Sequence, residues 1–547
     1  MHLTEPSRLV RTFFRGLQQT NLNFIKSCCS IITSRYKRTL YLCRPKMKKM
    51  SNKILYTWGL FLWIGLHLWG ADKTEYPKQE IRAVWLTTIY GLDWPRHTAT
   101  TEAGKRAQQE ELCHILDRLQ EANFNTVFLQ VRQRGDVIYR SSHEVVSATF
   151  SGKYGVLPGY DPLTFAIEEC HKRGLECHAW FVTFPLGTYD RVKEQGKLST
   201  VKRHAKLCIR HNGEWYLDPG IPETADYLLS LVRELVSNYD IDGIHFDYIR
   251  YPEKADAFPD RKSYQRYGGK KELAAWRRDN INRLVYRIYD QVKQLKPWVQ
   301  VSSSPLGKYN RIPEVPNAGW TAYESVYQDP KQWMKEGKQD MIVPMMYYLD
   351  KNFYPFVENW MENSHERLVV PGLGAYRMEK EEADWRMEDI TDQIEYSRAH
   401  GVAGTAYFRC GNLIHNTKGL YDALRDHYYR YPAQLPPLTW FNSQPPARPA
   451  APQVEKVADN ELKISWSKPA GKTQEVTYSL YYTRKKRIDA TSAQCLLATG
   501  IRDTVIYLPM PTDAEQGYLF QLSASNRFHV EGELSHETYY YWSKYEK

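Results

Sequence analysis

A (β/α)8 TIM barrel followed by a small all-β immunoglobulin-like sandwich is the fold this α/β sequence predicts, on three observations. Past residue 80, short apolar runs rich in β-branched and aromatic residues alternate with helical patterns, and eight such runs fall before residue 410. The polar residues of those runs collect at their C-terminal ends, where a parallel barrel keeps its chemistry. From residue 432 the pattern changes to seven prolines within 432–452, then to segments alternating with period two. The chain's 547 residues accommodate both parts. A doubly wound open sheet is the competing fold. No Gly-rich turn follows the first strand, which removes its dinucleotide-binding version.

The elements follow in order. The first strand is 81–87 (IRAVWLT). A helix spans 102–122, with Leu112, Ile115, Leu116 and Leu119 on one stripe. The second strand is 125–132. Asp161 caps a helix that reaches Lys172 and is closed by Gly174. The third strand is 175–182. A helix over 222–239 leads into the fourth strand, 241–248, whose apolar Ile241, Ile244 and Phe246 give way to Asp247, Arg250 and Tyr251 before Pro252 ends the run. A long helix spans 271–295. The runs 299–303, 341–347, 368–373 and 402–408 complete the eight. The barrel thus occupies 78–431, a Pro-rich linker 432–452, and the sandwich 453–547.

The N-terminus reads as an address. Lys48, Lys49 and Lys53 precede a 16-residue apolar run from Ile54 to Trp69 that ends at Gly70 and Ala71. It is short for a membrane span and suits a signal peptide over 47–71, with residues 1–46 an upstream extension. A retained signal anchor is the alternative. Export to the periplasm or the outside is expected, with no stable membrane span after cleavage. Residues 1–53 contain 12 of the 74 Lys/Arg and 1 of the 63 Asp/Glu, so they carry the whole net charge of +11. A body with balanced charge has no electrostatic footprint for nucleic acid. The six cysteines beyond that segment show no disulfide framework, and no Cys/His set has zinc spacing, so neither metal nor cofactor is expected.

The strand ends supply the candidate site. The second strand runs into Arg132 and Asp136, and the third ends near Trp180. The fourth presents His245, Asp247, Arg250 and Tyr251, the sixth Tyr347 and Asp350, and the eighth Tyr407. Acids, arginines and rings recurring at one rim suit glycoside hydrolysis, which needs two carboxylates across a bond and rings and donors to hold the sugar. Asp247, Asp136 and Asp350 are the catalytic candidates. Arg132, Trp180, His245, Arg250, Tyr251, Tyr347 and Tyr407 are the substrate-binding candidates. Arg250 is expected to hold Asp247 ionised. Asp242, at the entry end of the same strand, is expected to be structural, and Asp218 to be a turn residue.

The segments IRAVWLTTIYGLDWP (81–95), NTVFLQVRQRGDVIYRSS (125–142), GYDPLTFAIEECHKRGLECHAWF (159–181), WYLDPGIPE (215–223) and DGIHFDYIRYP (242–252) resemble the glycosyl hydrolase-like family 10. The resemblance covers roughly residues 78–430, with five motifs in order. It implies a (β/α)8 barrel, export, and hydrolysis of a poly- or oligosaccharide, peptidoglycan strands among them. It places Asp136 and Asp247 on the family's acidic positions. Many members carry a second Asp directly after the latter, where this chain has Tyr248. Beyond the linker, Trp466, Tyr518 and Ser523-Ala-Ser-Asn526 resemble a fibronectin type III module. Two function classes stand: an exported glycoside hydrolase, and a non-catalytic glycan-binding protein on a barrel scaffold.

Overall fold

The computed structural model describes residues 76–541, except 442, 459–460, 469–474 and 510–516. The expected extension and signal peptide lie outside the described residues.

Eight parallel strands form a ring: β1 (Ile81–Leu86), β2 (Thr126–Arg132), β3 (Glu176–Val182), β4 (Gly243–Asp247), β5 (Gln300–Ser303), β6 (Met341–Ile342), β7 (Leu368–Val369 with Gly372–Leu373) and β8 (Gly404–Tyr407). Each pairs with the next, and β8 returns to β1 through Ile81 opposite Gly404. The seventh run is broken in two because Pro344 and Pro371, at matching heights, have no N–H to give the ladder. The ring stays closed across the gap. Val370 and Gly372 donate to the carbonyls of Ile342 and Pro344, and Ala406 donates to that of Pro371.

A helix follows each strand: α1 (Glu102–Glu121), α2 (Pro162–Lys172), α3 (Pro222–Asn238), α4 (Leu273–Leu295), α5 (Pro330–Lys335), α6 (Tyr354–Glu362), α7 (Met387–Ala399) and α8 (Leu420–Ala423). The expected cap of α2 is present, with Asp161 accepting from the Leu163 and Thr164 N–H groups. Alternation along each strand divides the side chains. In β4, Ile244 and Phe246 join the core between strands and helices, while His245 points inside the barrel. There Trp85 donates from Nε1 to His245 Nε2 at 3.1 Å, Phe128 stacks on the imidazole at 4.3 Å, and Ser302 Oγ lies 2.9 Å from Nδ1.

One insertion shapes the C-terminal rim. After β3 the chain forms an antiparallel sheet of Pro185–Thr188, Glu214–Leu217 and Cys208–His211 before entering α3. Past the barrel, a three-stranded sheet (Gln453–Ala458, Glu461–Ser465, Val505–Pro509) packs on a four-stranded one (Leu496–Ile501, Val476–Thr483, Tyr518–Asn526, Thr538–Tyr540). Ile464, Trp466, Tyr478, Leu480, Tyr518 and Leu522 share their core.

The segment read as a linker is a docked strap. Leu438 is fully buried, Gln434 pairs with the Lys78 to Glu80 backbone, and Trp440 donates to Asp340. The Gln434 amide also reaches Ser479, Tyr481 and Glu531 of the sandwich. The sandwich consequently sits on the barrel's N-terminal face. Arg502 pairs with Asp242 at 2.6 Å, His529 with Glu176 at 2.7 Å and Lys78 with Glu531 at 2.6 Å. The six cysteines of the described residues are free thiols.

Candidate functional site

Asp247 ends β4 on the inward side of the strand, at the mouth of the barrel. Trp180, one strand over, donates from Nε1 to its Oδ2 at 3.2 Å, and the Tyr248 N–H donates to Oδ1 at 2.7 Å. Tyr248 adopts a left-handed φ of 49°, which turns the chain away at the strand's end. Burial raises the Asp247 carboxyl above the usual carboxylate range, against the field of Arg250 and the two hydrogen bonds. The expected effect of Arg250 is present in direction but outweighed. A neutral indole and a single amide N–H replace little of the hydration that a charged carboxylate loses.

Rings surround this carboxyl. Phe408, the residue after β8, lies 5.7 Å from Tyr347 in a stacked pose, 5.6 Å from Tyr376 and 6.4 Å from Trp180. Tyr347 feels the charge of Asp247, and burial drives its phenol well above the ordinary range. On the other side, the Tyr248 ring lies between two guanidiniums, Arg250 at 4.7 Å and Arg134 at 4.9 Å. Arg250 also lies 5.2 Å from the ring of Trp320, which is 39% exposed. Arg134 leads onward to Glu214, 3.9 Å away on the inserted sheet, where Tyr216 donates to the same carboxylate at 2.8 Å.

The structure brings Asp247, Trp180, Arg250 and Tyr347 together and sends the other candidates elsewhere. Asp136 is fully buried and held by Arg191 at 2.7 Å and the Arg134 N–H at 3.0 Å. Asp350 is exposed, opens a 3-10 turn ahead of α6, and exerts its field on Tyr354 of that helix. Arg132 has no exposed surface. Glu144 takes its fork at 2.6 and 2.7 Å, and the carbonyls of Val182 and Thr183 take the rest. Its part is to tie the rim together, not to hold substrate. His245 lies one layer below the mouth, and burial drives it well below the usual histidine range, so it packs as a neutral ring.

Tyr251 and Tyr407 point out of the barrel. Tyr251 lies under α4, with Asn280 donating to its hydroxyl, and Tyr407 packs on Phe124 and shares its hydroxyl with Tyr429. Neither can meet a ligand at the mouth. Phe408, Tyr376 and Arg134 stand at or just past strand ends of the barrel but were not among the candidates, and Trp320 and Glu214 lie away from those strand ends altogether. For Phe408 the signal was available: if Tyr407 faces the helices, its neighbour faces in. Asp218 is the expected turn residue, accepting from Gly220 N–H at 2.8 Å and from Ser263, and burial raises it to about 6.

Among the described residues, no group of three or more His, Cys, Asp and Glu side chains is arranged to hold a metal ion. A cavity of about 490 Å³ lies at the opposite end, between the barrel's N-terminal face and the sandwich. Asp242, Arg502, Arg527 and His529 line it, already paired with one another or with Glu176 and Asp240. Those groups are engaged in holding the two parts together.

A family model described as glycosyl hydrolase-like 10 matches residues 80–368. The chain is 30% identical over 482 residues to "Glycosyl hydrolase YngK" of Bacillus subtilis (strain 168), covering 84% of this chain and 93% of that protein. It is 31% identical over 371 residues to "Glycosyl hydrolase DigH" of Escherichia coli (strain K12), covering 61% of this chain and 84% of that protein. Among solved structures, the PgaB (BpsB) glycoside hydrolase domain from Bordetella bronchiseptica is similar at 16% identity and a TM-score of 0.44. That match covers 64% of this chain and 98% of the other.

Proposed function

This chain belongs to the glycosyl hydrolase-like 10 family, and we propose that it is an exported glycoside hydrolase, with Asp247 as its catalytic acid and cell-wall glycan as its substrate class. The observation that carries this reading is the Asp247 carboxyl itself. It sits at the C-terminal mouth among rings, with no cation bonded to it and its proton affinity raised by burial. A general acid needs that setting, because it must be protonated before it can donate to the leaving oxygen. Trp180 and the Tyr248 N–H orient it. Tyr347, Phe408 and Trp320 offer faces on which sugars stack.

The second carboxylate of the pair is Glu214 in this reading. It is the acidic side chain that reaches back to the mouth through Arg134, whereas Asp136 is engaged by Arg191 and Asp350 lies outside. A carboxylate at that place would serve as base or nucleophile. The alternative, a glycan-binding barrel without turnover, draws on Tyr248, which stands where many family members have a second Asp. Product mass spectrometry on cell-wall and other glycans, with wild type beside Asp247→Asn, separates the two. Cleavage by wild type that is lost in the variant supports the hydrolase. Binding without cleavage by wild type overturns it in favour of the alternative. The sandwich, three strands on four, supports the reading of a fibronectin type III-like module that braces the barrel.

A further inference from the structure

Cations in the barrel wall fall into two sets. Around the outside and below the mouth, buried guanidiniums are matched to carboxylates: Arg132 to Glu144 at 2.6 Å, Arg191 to Asp136 and Arg277 to Asp260 at 2.7 Å, and Arg82 to Glu80 at 2.8 Å. At the mouth the matching stops. Among the described residues Arg250, Arg377 and Lys308 form no ion pair, and Arg134 has only Glu214 at 3.9 Å. These cations lie on rings instead. Arg250 is on Tyr248 and Trp320, Arg134 on Tyr248, Arg377 on Tyr376 at 5.1 Å and Lys308 on Tyr348 at 4.5 Å.

Arg250 is the clearest case. It is only 5% exposed, its Nε has no partner, and its one hydrogen bond, to the Tyr251 carbonyl, is 3.3 Å long. The Nε of Arg377 is likewise buried and unmatched. Holding a guanidinium out of water without a carboxylate is costly, and ring contacts recover that only in part. Of the buried arginines among the described residues, Arg82, Arg132, Arg191 and Arg277 each have a carboxylate partner, and Arg250, beside the proposed acid, has none, which leaves its donors in reserve. The fork geometry of a guanidinium matches an oxyanion.

Resting on the glycosidase reading above, we propose that the glycan taken at this mouth carries an oxyanion, carboxylate or sulfate, which Arg250 binds with Arg134 in support across the Tyr248 ring. Trp320 takes the adjoining sugar face. The charge excess is local, because Lys/Arg and Asp/Glu balance over the chain beyond residue 53. It therefore marks this mouth and not the whole surface. The bound anion also favours the protonated state of the nearby Asp247, so recognition and acid catalysis reinforce each other.

The test uses the full chain and calorimetric binding with peptide-free peptidoglycan strands and a uronic-acid oligosaccharide. Each is used with its carboxylates intact or reduced to alcohols, beside a sulfated oligosaccharide and neutral chitin oligosaccharides. Reduction of the carboxylates should weaken binding by about tenfold or more in wild type. Most of that difference should vanish in Arg250→Gln, and part of it in Arg134→Gln, which is more exposed and keeps the test valid if the first variant does not fold. Preference for the sulfated oligosaccharide over the carboxylated ones assigns the anion to sulfate. Equal binding and cleavage of intact and reduced strands overturns the anion site while leaving the hydrolase in place. Failure to bind any of these glycans would overturn the hydrolase reading, and the anion site with it.

Discussion

Asp242 and Asp247 lie at opposite ends of one strand, each 6% exposed, and their carboxyls respond in opposite directions. Asp242, at the N-terminal face, meets the same burial as Asp247. His171 at 2.8 Å, Arg502 at 2.6 Å and the Cys177 N–H at 2.9 Å outweigh it and hold the group far below the usual range. Asp247, at the mouth, has an indole and an amide for neighbours, and burial wins. Equal exclusion of water therefore gives a permanent anion at one end and a carboxyl of raised proton affinity at the other. What separates the two carboxyls is their partners, not their exposure.

The largest expected effect tests the N-terminal side of this contrast. Asp242→Ala takes the closest carboxylate from Arg502 and His171, and removing one member of a buried charge cluster costs about 3 kcal/mol or more. The partial exposure of Arg502, at 29%, keeps the loss toward the low end of that range. Urea denaturation should show it as a lower midpoint, with barrel and sandwich melting as separate steps. A single transition at the wild-type midpoint would mean that Asp242 does not hold the two parts together.

At the mouth the same chemical change should act on rate and not on folding. Asp247→Asn should lower glycan cleavage by roughly 10²-fold or more. It should leave the melting temperature unchanged or raise it, because a carboxyl whose folded-state pKa is raised destabilises the fold above that pKa. Unfolding of this variant, or near-wild-type turnover, would erase the distinction between the two ends.

A smaller effect comes from the Glu176–His529 pair that docks the sandwich. Burial opposes both charges. The charge and hydrogen bond of His529, with a hydrogen bond from His178, nevertheless hold Glu176 at about 2, and Glu176 raises His529 above its usual range. The depressed Glu176 contributes stability above the ordinary glutamate value, lost as pH falls toward 2. The raised His529 contributes below the ordinary histidine value, lost as pH rises through its folded-state pKa. Docking should be firmest between about pH 4.3 and 6.5. Thermal melts across that window should show a maximum for wild type and a flatter profile for His529→Gln.

Both ends were partly legible in the sequence. Apolar runs gave all eight strands to within a few residues, because a strand buried on both faces must be apolar throughout. Asp247, Trp180 and Tyr347 followed from the rule that barrel chemistry sits at strand ends. Tyr407 obeyed that rule too but lies on the outward parity of its strand, Tyr251 stands beyond the end of β4 where the chain has turned under α4, and His245 lies a layer too deep. Strand ends alone do not resolve face or height. Arg502, Arg527 and His529 find their partners more than 250 positions away. No local pattern announces such pairs, so the strap was read as a linker and the contacts that dock the sandwich went unread.

The finest test concerns which influence sets the proton affinity of Asp247. If Asp247 is the acid, kcat/KM should fall as pH rises through its raised pKa, since the deprotonated form cannot donate. Arg250 is the strongest of the influences that oppose burial, ahead of the Tyr248 N–H and the Trp180 indole. Replacing Arg250 by Gln removes that positive field, makes the carboxylate harder to form, and should move the alkaline limb to higher pH. Trp180→Phe removes one hydrogen bond to the charged form and should move the limb in the same direction by less. Asp242→Asn, at the far end of the strand, should leave it in place wherever the variant stays folded. A limb indifferent to both Arg250 and Trp180 would belong to another group, with Glu214 the first to examine. The proton carrier would then lie on the inserted sheet and not on the strand.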